Sequence, residues 1–161
     1  MREIELSNGM RTLLDDQDYE KFAGFRWNAL RAQQEDERYY AFRRTAVDGT
    51  IYLHRAILAA PKGVTVDHEN GDGLDNRRDN IRLATRSQNN ANRKSASATG
   101  YRGVETFFGK FRAYISNPGR IGSKNIRLGV YVTPEEAAAA YDVAAQTRFG
   151  EFARLNFPAA R

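Results

Sequence analysis

The spacing of apolar residues predicts a β-rich first third of the chain. Short runs that alternate apolar and polar positions flank the turn signals Asn8-Gly9 and Asp48-Gly49, which are typical of β-hairpins. Between these turns, residues 16–25 predict a short helix, and 26–30 and 38–44 predict strands. Residues 1–50 show no catalytic spacing, so we expect them to extend the fold of the segment that follows.

The second stretch, residues 51–94, predicts a helix, a strand, a loop, a second strand and a helix. Helical spacing over 54–60 stops at Pro61, and short strands are predicted at 64–68 and 81–83 around a polar loop. A polar helix follows, capped by Thr85 or Ser87. Such a segment is too small for an ordinary hydrophobic core, and its polar residues suggest a metal site.

The last stretch begins with a small, polar segment at 95–100, which predicts a linker. Strands are predicted at 102–106, 110–116 and 125–131, and Thr133-Pro134 has the composition of a helix N-terminus. The helix should end near Phe149, before Gly150. The expected unit is a three-stranded antiparallel sheet packed on one helix.

Composition restricts the chemistry. The 161 residues are 41% hydrophobic, enough for a core, and include no cysteine, which excludes disulfides, thiolate nucleophiles and Cys-ligated zinc sites. Because His54 and His68 are the only histidines, any metal site must depend on oxygen ligands. There is no long apolar run, and the acidic N-terminal residues do not fit a signal peptide, so we expect no membrane association and a cytoplasmic location.

The net charge of +5 is concentrated in the second half. Residues 1–85 hold 13 basic and 15 acidic side chains, whereas 86–161 hold 12 and 5. Between Arg86 and Arg127 the only acid is Glu105, and aromatic residues are interleaved with the basic ones. This pattern favours a polyanion, and nucleic acid in particular.

Four polar residues form a candidate catalytic group: Asp67 and His68, then Asn80, 12 residues after His68, and Asn89, 9 residues after Asn80. Hydrolysis of a phosphodiester needs a base and a cation. The imidazole of His68 suits the base, and the side-chain oxygens of Asp67 and Asn89 suit Mg²⁺ or Mn²⁺. Asn80 would hold the imidazole or brace the loop.

This part of the chain resembles an HNH endonuclease of the phage and intron-homing type. The resemblance implies a ββα-metal fold, with His68 as general base, Asp67 and Asn89 as metal ligands and Asn80 as the middle asparagine. Asn89 stands in place of a histidine, as in other homing-type members. We favour a structural role for His54. The matching runs are His54-Arg55-Ala56-Ile57, Val66-Asp67-His68-Glu69-Asn70-Gly71-Asp72, the residues from Asn76 to Thr85, and Gln88-Asn89-Asn90.

The last sixty residues resemble the APETALA/ethylene-response-factor DNA-binding domain, in which a three-stranded sheet lies in the major groove. The matching runs are Gly100-Tyr101-Arg102-Gly103-Val104, Gly109-Lys110-Phe111-Arg112-Ala113, Leu128-Gly129, Thr133 to Ala138, Ala140 to Ala145 and Leu155-Asn156-Phe157-Pro158.

Arg102 keeps a contact arginine of that family, but Glu105 replaces an arginine, and Phe108 and Arg127 replace tryptophans, so the plant target sequence is not inherited. The DNA-binding candidates, two of them just before the linker, are Arg93, Lys94, Arg102, Phe108, Lys110, Arg112, Tyr114, Asn125 and Arg127.

The sequence thus predicts an α+β protein: an N-terminal β-rich extension (1–50), an HNH ββα-metal nuclease core (51–94), a linker (95–100) and an APETALA-type domain (101–159). The expected function is a metal-dependent endonuclease directed to double-stranded DNA. A monomer with one metal would nick one strand, and a homodimer or two events would break both. The alternatives are a DNA-binding transcriptional regulator with an inactive HNH remnant, and a binder of structured RNA.

Overall fold

A computed structural model describes residues 1–32, 38–93, 97–117 and 125–158. The chain is mixed α and β, with several small antiparallel sheets, and divides into two compact units, Met1–Arg86 and Ser87–Arg161. The division after Arg86 lies inside the predicted nuclease core, 51–94, and assigns most of the last predicted helix of that core to the C-terminal unit. The domain boundaries derived from the sequence remain untested predictions. No described helix has the length and apolar character that a bilayer span requires.

The first two elements of the N-terminal unit are an antiparallel hairpin, β1 (Arg2–Glu5) and β2 (Arg11–Leu14), around the predicted Asn8-Gly9 turn. Helix α1 (Asp16–Phe22) follows and is three residues shorter than predicted. A second antiparallel sheet has the order β3 (Asn28–Arg31), β4 (Tyr39–Thr45) and β5 (Gly49–Tyr52).

The core of this unit forms around Trp27, Leu14 and Leu53, each at most 1% exposed. The indole nitrogen of Trp27 donates to the carbonyl of Phe22 at 3.0 Å, so the ring is buried with its polar atom satisfied. Helix α2 (Leu53–Ile57) packs its residues Leu53 and Ile57 into the same core.

The third sheet of the unit is the hairpin of β6 (Thr65–His68) and β7 (Ile81–Ala84), in which His68 lies opposite Ile81. The loop between these strands, residues 69–80, is fastened to the N-terminal elements. The amide of Asn76 donates to the carbonyl of Leu13 at 2.9 Å, and the Arg78 guanidinium forms an ion pair with the fully buried Asp18 of α1. The N-terminal elements therefore supply packing that this small hairpin lacks.

Helix α3 (Arg86–Ala91) is the first element of the C-terminal unit, which begins at the second residue of the helix, Ser87. An antiparallel sheet of order β10 (Ile126–Tyr131), β9 (Lys110–Ile115) and β8 (Val104–Phe107) follows. Helix α4 (Pro134–Phe149) packs on it and begins with the predicted cap, a box in which Thr133 and Glu136 bond each other's backbone amides. The helix contributes Ala137 and Ala138 to the shared core.

The segment predicted as a linker is partly described. Lys94, Ser95 and Ala96 lie outside the described residues. The hydroxyls of Ser97 and Thr99 donate to the carbonyl of Val104 at 2.9 and 3.1 Å, so residues 97–100 bond to the start of β8.

Two glycines with positive φ offer a matched test of this packing. Gly103 has φ +71° and lies against Tyr141, so an added Cβ would be 2.0 Å from that ring. Gly109 has φ +73° but faces open space. We expect Gly109→Ala to destabilise the chain by about 1–2 kcal/mol from backbone strain alone, and Gly103→Ala by about 2 kcal/mol more because of the clash.

Urea unfolding of the two variants, followed by circular dichroism, measures the difference. Equal losses of stability for Gly103→Ala and Gly109→Ala would contradict the close contact with Tyr141.

Candidate functional site

Asp67 and His68 occupy the last two positions of β6. Both side chains are buried, at 3% and 6% exposure. The short hairpin places them here because its register pairs Asp67 with Arg82 and His68 with Ile81. The structure thus brings the predicted base and one predicted metal ligand to the same strand end.

Asn80 braces the loop between the two strands. Its side-chain oxygen accepts from the backbone amide of Asn70 at 3.0 Å, and its side-chain nitrogen donates to the carbonyl of Asp75 at 2.7 Å. Asn70 also donates to the Asp75 carboxylate at 2.9 Å. Of the two tasks predicted for Asn80, these contacts match loop bracing. Its catalytic assignment stays a prediction.

The imidazole of His68 is held by Asn76. His68 Nε2 lies 3.2 Å from the side-chain oxygen of Asn76, whose nitrogen donates to the Thr12 hydroxyl at 2.7 Å. That hydroxyl donates in turn to the carbonyl of Leu74 at 2.7 Å. We refer to these four groups as the Leu74–Thr12–Asn76–His68 chain.

The Leu74–Thr12–Asn76–His68 chain fixes the tautomer of His68. A carbonyl can only accept, so Thr12 must donate to Leu74 and accept from the amide nitrogen of Asn76. The amide oxygen of Asn76 therefore faces His68 Nε2, which must carry the proton. In the neutral ring, Nδ1 is then the basic nitrogen.

Burial keeps this ring neutral. Loss of hydration lowers the pKa of His68 below its ordinary value of 6.5, while the hydrogen bond to Asn76 and the nearby carboxylates of Asp67, Asp72 and Asp75 act in the opposite direction. The net lowering leaves an uncharged imidazole near pH 7, the form that can accept a proton.

His54 lies beside His68 in a cluster of rings. Its ring centroid is 5.1 Å from that of His68 and 5.6 Å from those of Tyr40 and Tyr52. Nδ1 of His54 is buried and has no hydrogen-bond partner among the described residues. Burial, followed by the charges of His68 and Arg55, lowers the pKa of His54 to about 3. These contacts match the structural role that we favour for this residue.

Asp67 Oδ2 accepts from Arg82 Nη2 at 2.9 Å and from Arg82 Nε at 3.0 Å, which compensates its buried charge. The described residues include no cluster of three His, Cys, Asp or Glu side chains suited to a metal. A donor set of one buried carboxylate and carboxamide oxygens nevertheless fits Mg²⁺ chemically, because such hard oxygen ligands leave positions for water and phosphate.

Asn89, the other predicted ligand, lies half-buried on α3. It belongs to the C-terminal unit, whereas Asp67 belongs to the N-terminal unit. That the two side chains share one ion is therefore a prediction.

The outer face of the C-terminal sheet collects several DNA-binding candidates. Lys110, Arg112 and Tyr114 alternate along β9 with residues that face the core, and Arg127 of β10 pairs with Tyr114. The guanidinium of Arg112 lies 4.4 Å from the centre of the Phe107 ring. Arg112 Nε also donates to Glu105 at 2.6 Å.

Other candidates lie off this face. Phe108 is 93% exposed at the turn after β8, and Asn125 directly precedes β10. Two further candidates precede the sheet in the sequence. Arg93 follows α3, and Lys94 lies outside the described residues.

Arg102 is turned toward the end of α3. Its Nη2 donates to the carbonyl of Asn90 at 2.9 Å, and its Nη1 donates to the carbonyl of Arg93. Its Nε donates to the Tyr141 hydroxyl at 2.6 Å. The guanidinium therefore anchors the C-terminal end of α3, and a DNA contact by Arg102 stays a prediction.

Sequence reasoning assigned no role to Asn76, Thr12 or Tyr40. Asn76 lies within the run that resembles the HNH endonucleases, and that position was the sequence signal that could have pointed to it. Thr12 is 64 residues from its partner Asn76, and nothing in local spacing connects them.

The buried His54 predicts a pH-dependent stability. Because its pKa is lowered in the folded state, the unfolded chain takes up the proton first as pH falls below 6.5, and stability falls toward pH 3. We expect His54 to account for about 2 kcal/mol of lost stability between pH 7 and pH 5.

Urea unfolding of the wild type and His54→Phe at both pH values tests this effect. The phenylalanine keeps a ring in the cluster but does not titrate, so the pH-dependent loss should shrink by that amount. An unchanged loss in His54→Phe would contradict the assignment.

Comparison with known proteins gives independent support for the two resemblances. Residues 59–91 match the family model of the HNH endonucleases. The chain is 34% identical over 116 residues to an uncharacterized HNH endonuclease of Acanthamoeba polyphaga mimivirus, covering 67% of this chain and 58% of the viral protein.

Plant proteins match over a shorter length. The dehydration-responsive element-binding protein 2A of Arabidopsis thaliana is 48% identical over 63 residues, covering 38% of this chain and 18% of that protein. An ethylene-responsive transcription factor of the same plant is 47% identical over 58 residues, covering 36% and 23%. The chain thus spans less than two thirds of each of these relatives. These matches confirm both resemblances: the chain contains a segment similar to the HNH endonucleases and a part similar to the ethylene-responsive transcription factors.

Proposed function

We propose that this protein is a metal-dependent DNA endonuclease that hydrolyses one strand of a duplex. The observation that carries the proposal is the buried imidazole of His68, whose Nε2 is held by Asn76 and which directly follows the buried Asp67 in β6. Both residues lie in the segment that matches the HNH endonucleases.

His68 acts as the general base. Its Nδ1 takes a proton from the water that attacks the phosphorus atom, while Nε2–H keeps its bond to Asn76. The positive charge that forms on the ring is favoured by the carboxylates of Asp67, Asp72 and Asp75, each of which raises the pKa of this histidine. Asn80 keeps the loop in place around the ring.

A divalent metal, Mg²⁺ or Mn²⁺, would be held by Asp67 and Asn89. When bound, it supplies positive charge for the phosphate oxygens and the leaving group. The carboxylate of Asp67 would then exchange part of its pairing with Arg82 for the metal.

Duplex DNA is the proposed substrate, delivered by the sheet of the C-terminal unit. Lys110, Arg112 and Arg127 give its outer face positive charge, and Tyr114 adds a hydrogen-bonding group. Connection in one chain raises the local concentration of the catalytic unit on DNA, since residues 1–85 hold 13 basic and 15 acidic side chains and therefore have no net positive charge of their own. One base and one metal cut one strand, so the expected product is a nick.

Nicking of supercoiled plasmid in Mg²⁺ tests the catalytic assignment. We expect His68→Ala to lower the nicking rate by at least about a hundredfold, because general base catalysis contributes on that order. Affinity for duplex DNA should stay within about twofold, since the sheet is unchanged; wild type in EDTA provides the zero-rate control, and circular dichroism verifies the fold of the variant.

The outcomes separate the candidate functions. Undiminished nicking by His68→Ala would refute the base assignment. Wild type that binds duplex DNA but never nicks it, in Mg²⁺ or Mn²⁺, would instead support a regulator with an inactive HNH segment. Structured RNA that competes better than duplex DNA would support an RNA-binding protein.

A further inference from the structure

The C-terminal unit contains a cavity of about 370 Å³ whose lining residues all belong to that unit. One side of it is formed by Asn90, in the last turn of α3, and by Arg93, which follows that helix. Residues of β9 and the approach to β10, Tyr114 and Asn125, form another. The buried Tyr141 of α4 also contributes to the lining.

The lining suits an anion. The guanidinium of Arg93, the hydroxyls of Tyr114 and Ser116 and the amide of Asn125 all offer hydrogen-bond donors. None of these four side chains has a hydrogen-bond partner among the described residues. No Asp or Glu is among the lining residues that the structure describes, so nothing there neutralises the positive charge.

Arg102 has a different part in this cavity. Three of its five N–H groups bond to the carbonyls of Asn90 and Arg93 and to the Tyr141 hydroxyl. These bonds fix the Arg102 guanidinium in the wall of the cavity, where it adds positive charge, whereas the Arg93 side chain has no such bonds to break before it binds a ligand.

We propose that this cavity binds one phosphate group of the DNA backbone. The proposal rests on the DNA-binding function proposed above and adds a second kind of contact to it. A phosphodiester only accepts hydrogen bonds, carries one negative charge and matches the bidentate geometry of a guanidinium. The volume exceeds that of one phosphate, so the adjoining sugar has room to enter. The cavity thus sets the position of the duplex without reading its sequence.

Binding of the full chain to a 30-base-pair duplex, measured by fluorescence anisotropy over a salt series, provides the first test. Arg93→Gln should weaken binding about tenfold and reduce the slope of log affinity against log salt by about 0.9, because one phosphate contact is lost. Tyr114→Phe should weaken binding about threefold without changing that slope, because the hydroxyl is neutral.

The double variant is the sharper measurement. If both side chains contact the same phosphate, Arg93→Gln and Tyr114→Phe together should lose less than the product of their separate losses. Arg148→Gln is the matched charge control, since Arg148 lies exposed near the end of α4 and outside the cavity lining. Its effect on affinity and slope should be smaller than that of Arg93→Gln.

A second measurement does not depend on duplex binding. NMR titration of the full chain with the phosphodiester d(TpT) should shift the side-chain signals of Arg93 and Asn125, whereas equal concentrations of inorganic phosphate should shift them less. Shifts with d(TpT) in a chain that fails to bind duplex would uphold the cavity and overturn the proposed function.

Three results would overturn the cavity proposal. The first is an Arg93→Gln loss no larger than that of Arg148→Gln. The second is d(TpT) leaving the side-chain signals unmoved, and the third is a response to inorganic phosphate alone, which would make the cavity a site for a free anion.

Discussion

The hydrogen-bond chain from Leu74 through Thr12 and Asn76 to His68 is the interaction on which the proposed chemistry depends. Each link has one allowed direction, because it begins at a carbonyl that can only accept. These hydrogen bonds leave His68 with its proton on Nε2 and its lone pair on Nδ1. A buried imidazole without such a partner would have no fixed tautomer and no fixed orientation. The proposed activity therefore depends on Thr12, a residue of the hairpin that precedes α1, as well as on the residues around His68.

This dependence explains what the first fifty residues contribute. The β6–β7 hairpin and its loop contain few apolar residues, and the loop is joined to β2 and α1 by the Asn76–Leu13 bond and the Arg78–Asp18 ion pair. The packing around Trp27 and Leu14 stabilises those elements. A small polar hairpin is thus joined to elements with a hydrophobic core, and β2 also supplies the Thr12 hydroxyl that orients the Asn76 amide toward His68.

Local patterns in the sequence predicted most of the elements. Asn8-Gly9 and Thr133-Pro134 each correspond to an observed turn or cap because the physical cause lies within a few residues. The partners of Asn76 and Arg102 could not be predicted in this way. Asn76 bonds Thr12 across 64 residues, and Arg102 bonds Tyr141 across 39, so both contacts depend on the completed fold. The resemblance to plant DNA-binding domains suggested a groove contact for Arg102, whereas its observed partners are carbonyls at the end of α3 and one tyrosine.

Nitrogen-15 NMR of the His68 imidazole in the full chain measures which ring nitrogen carries the proton. We expect a neutral ring at pH 7 with Nε2 protonated and Nδ1 unprotonated, and a titration midpoint below the ordinary 6.5. A ring protonated on Nδ1 alone, or one that is already charged at pH 7, would contradict this expectation.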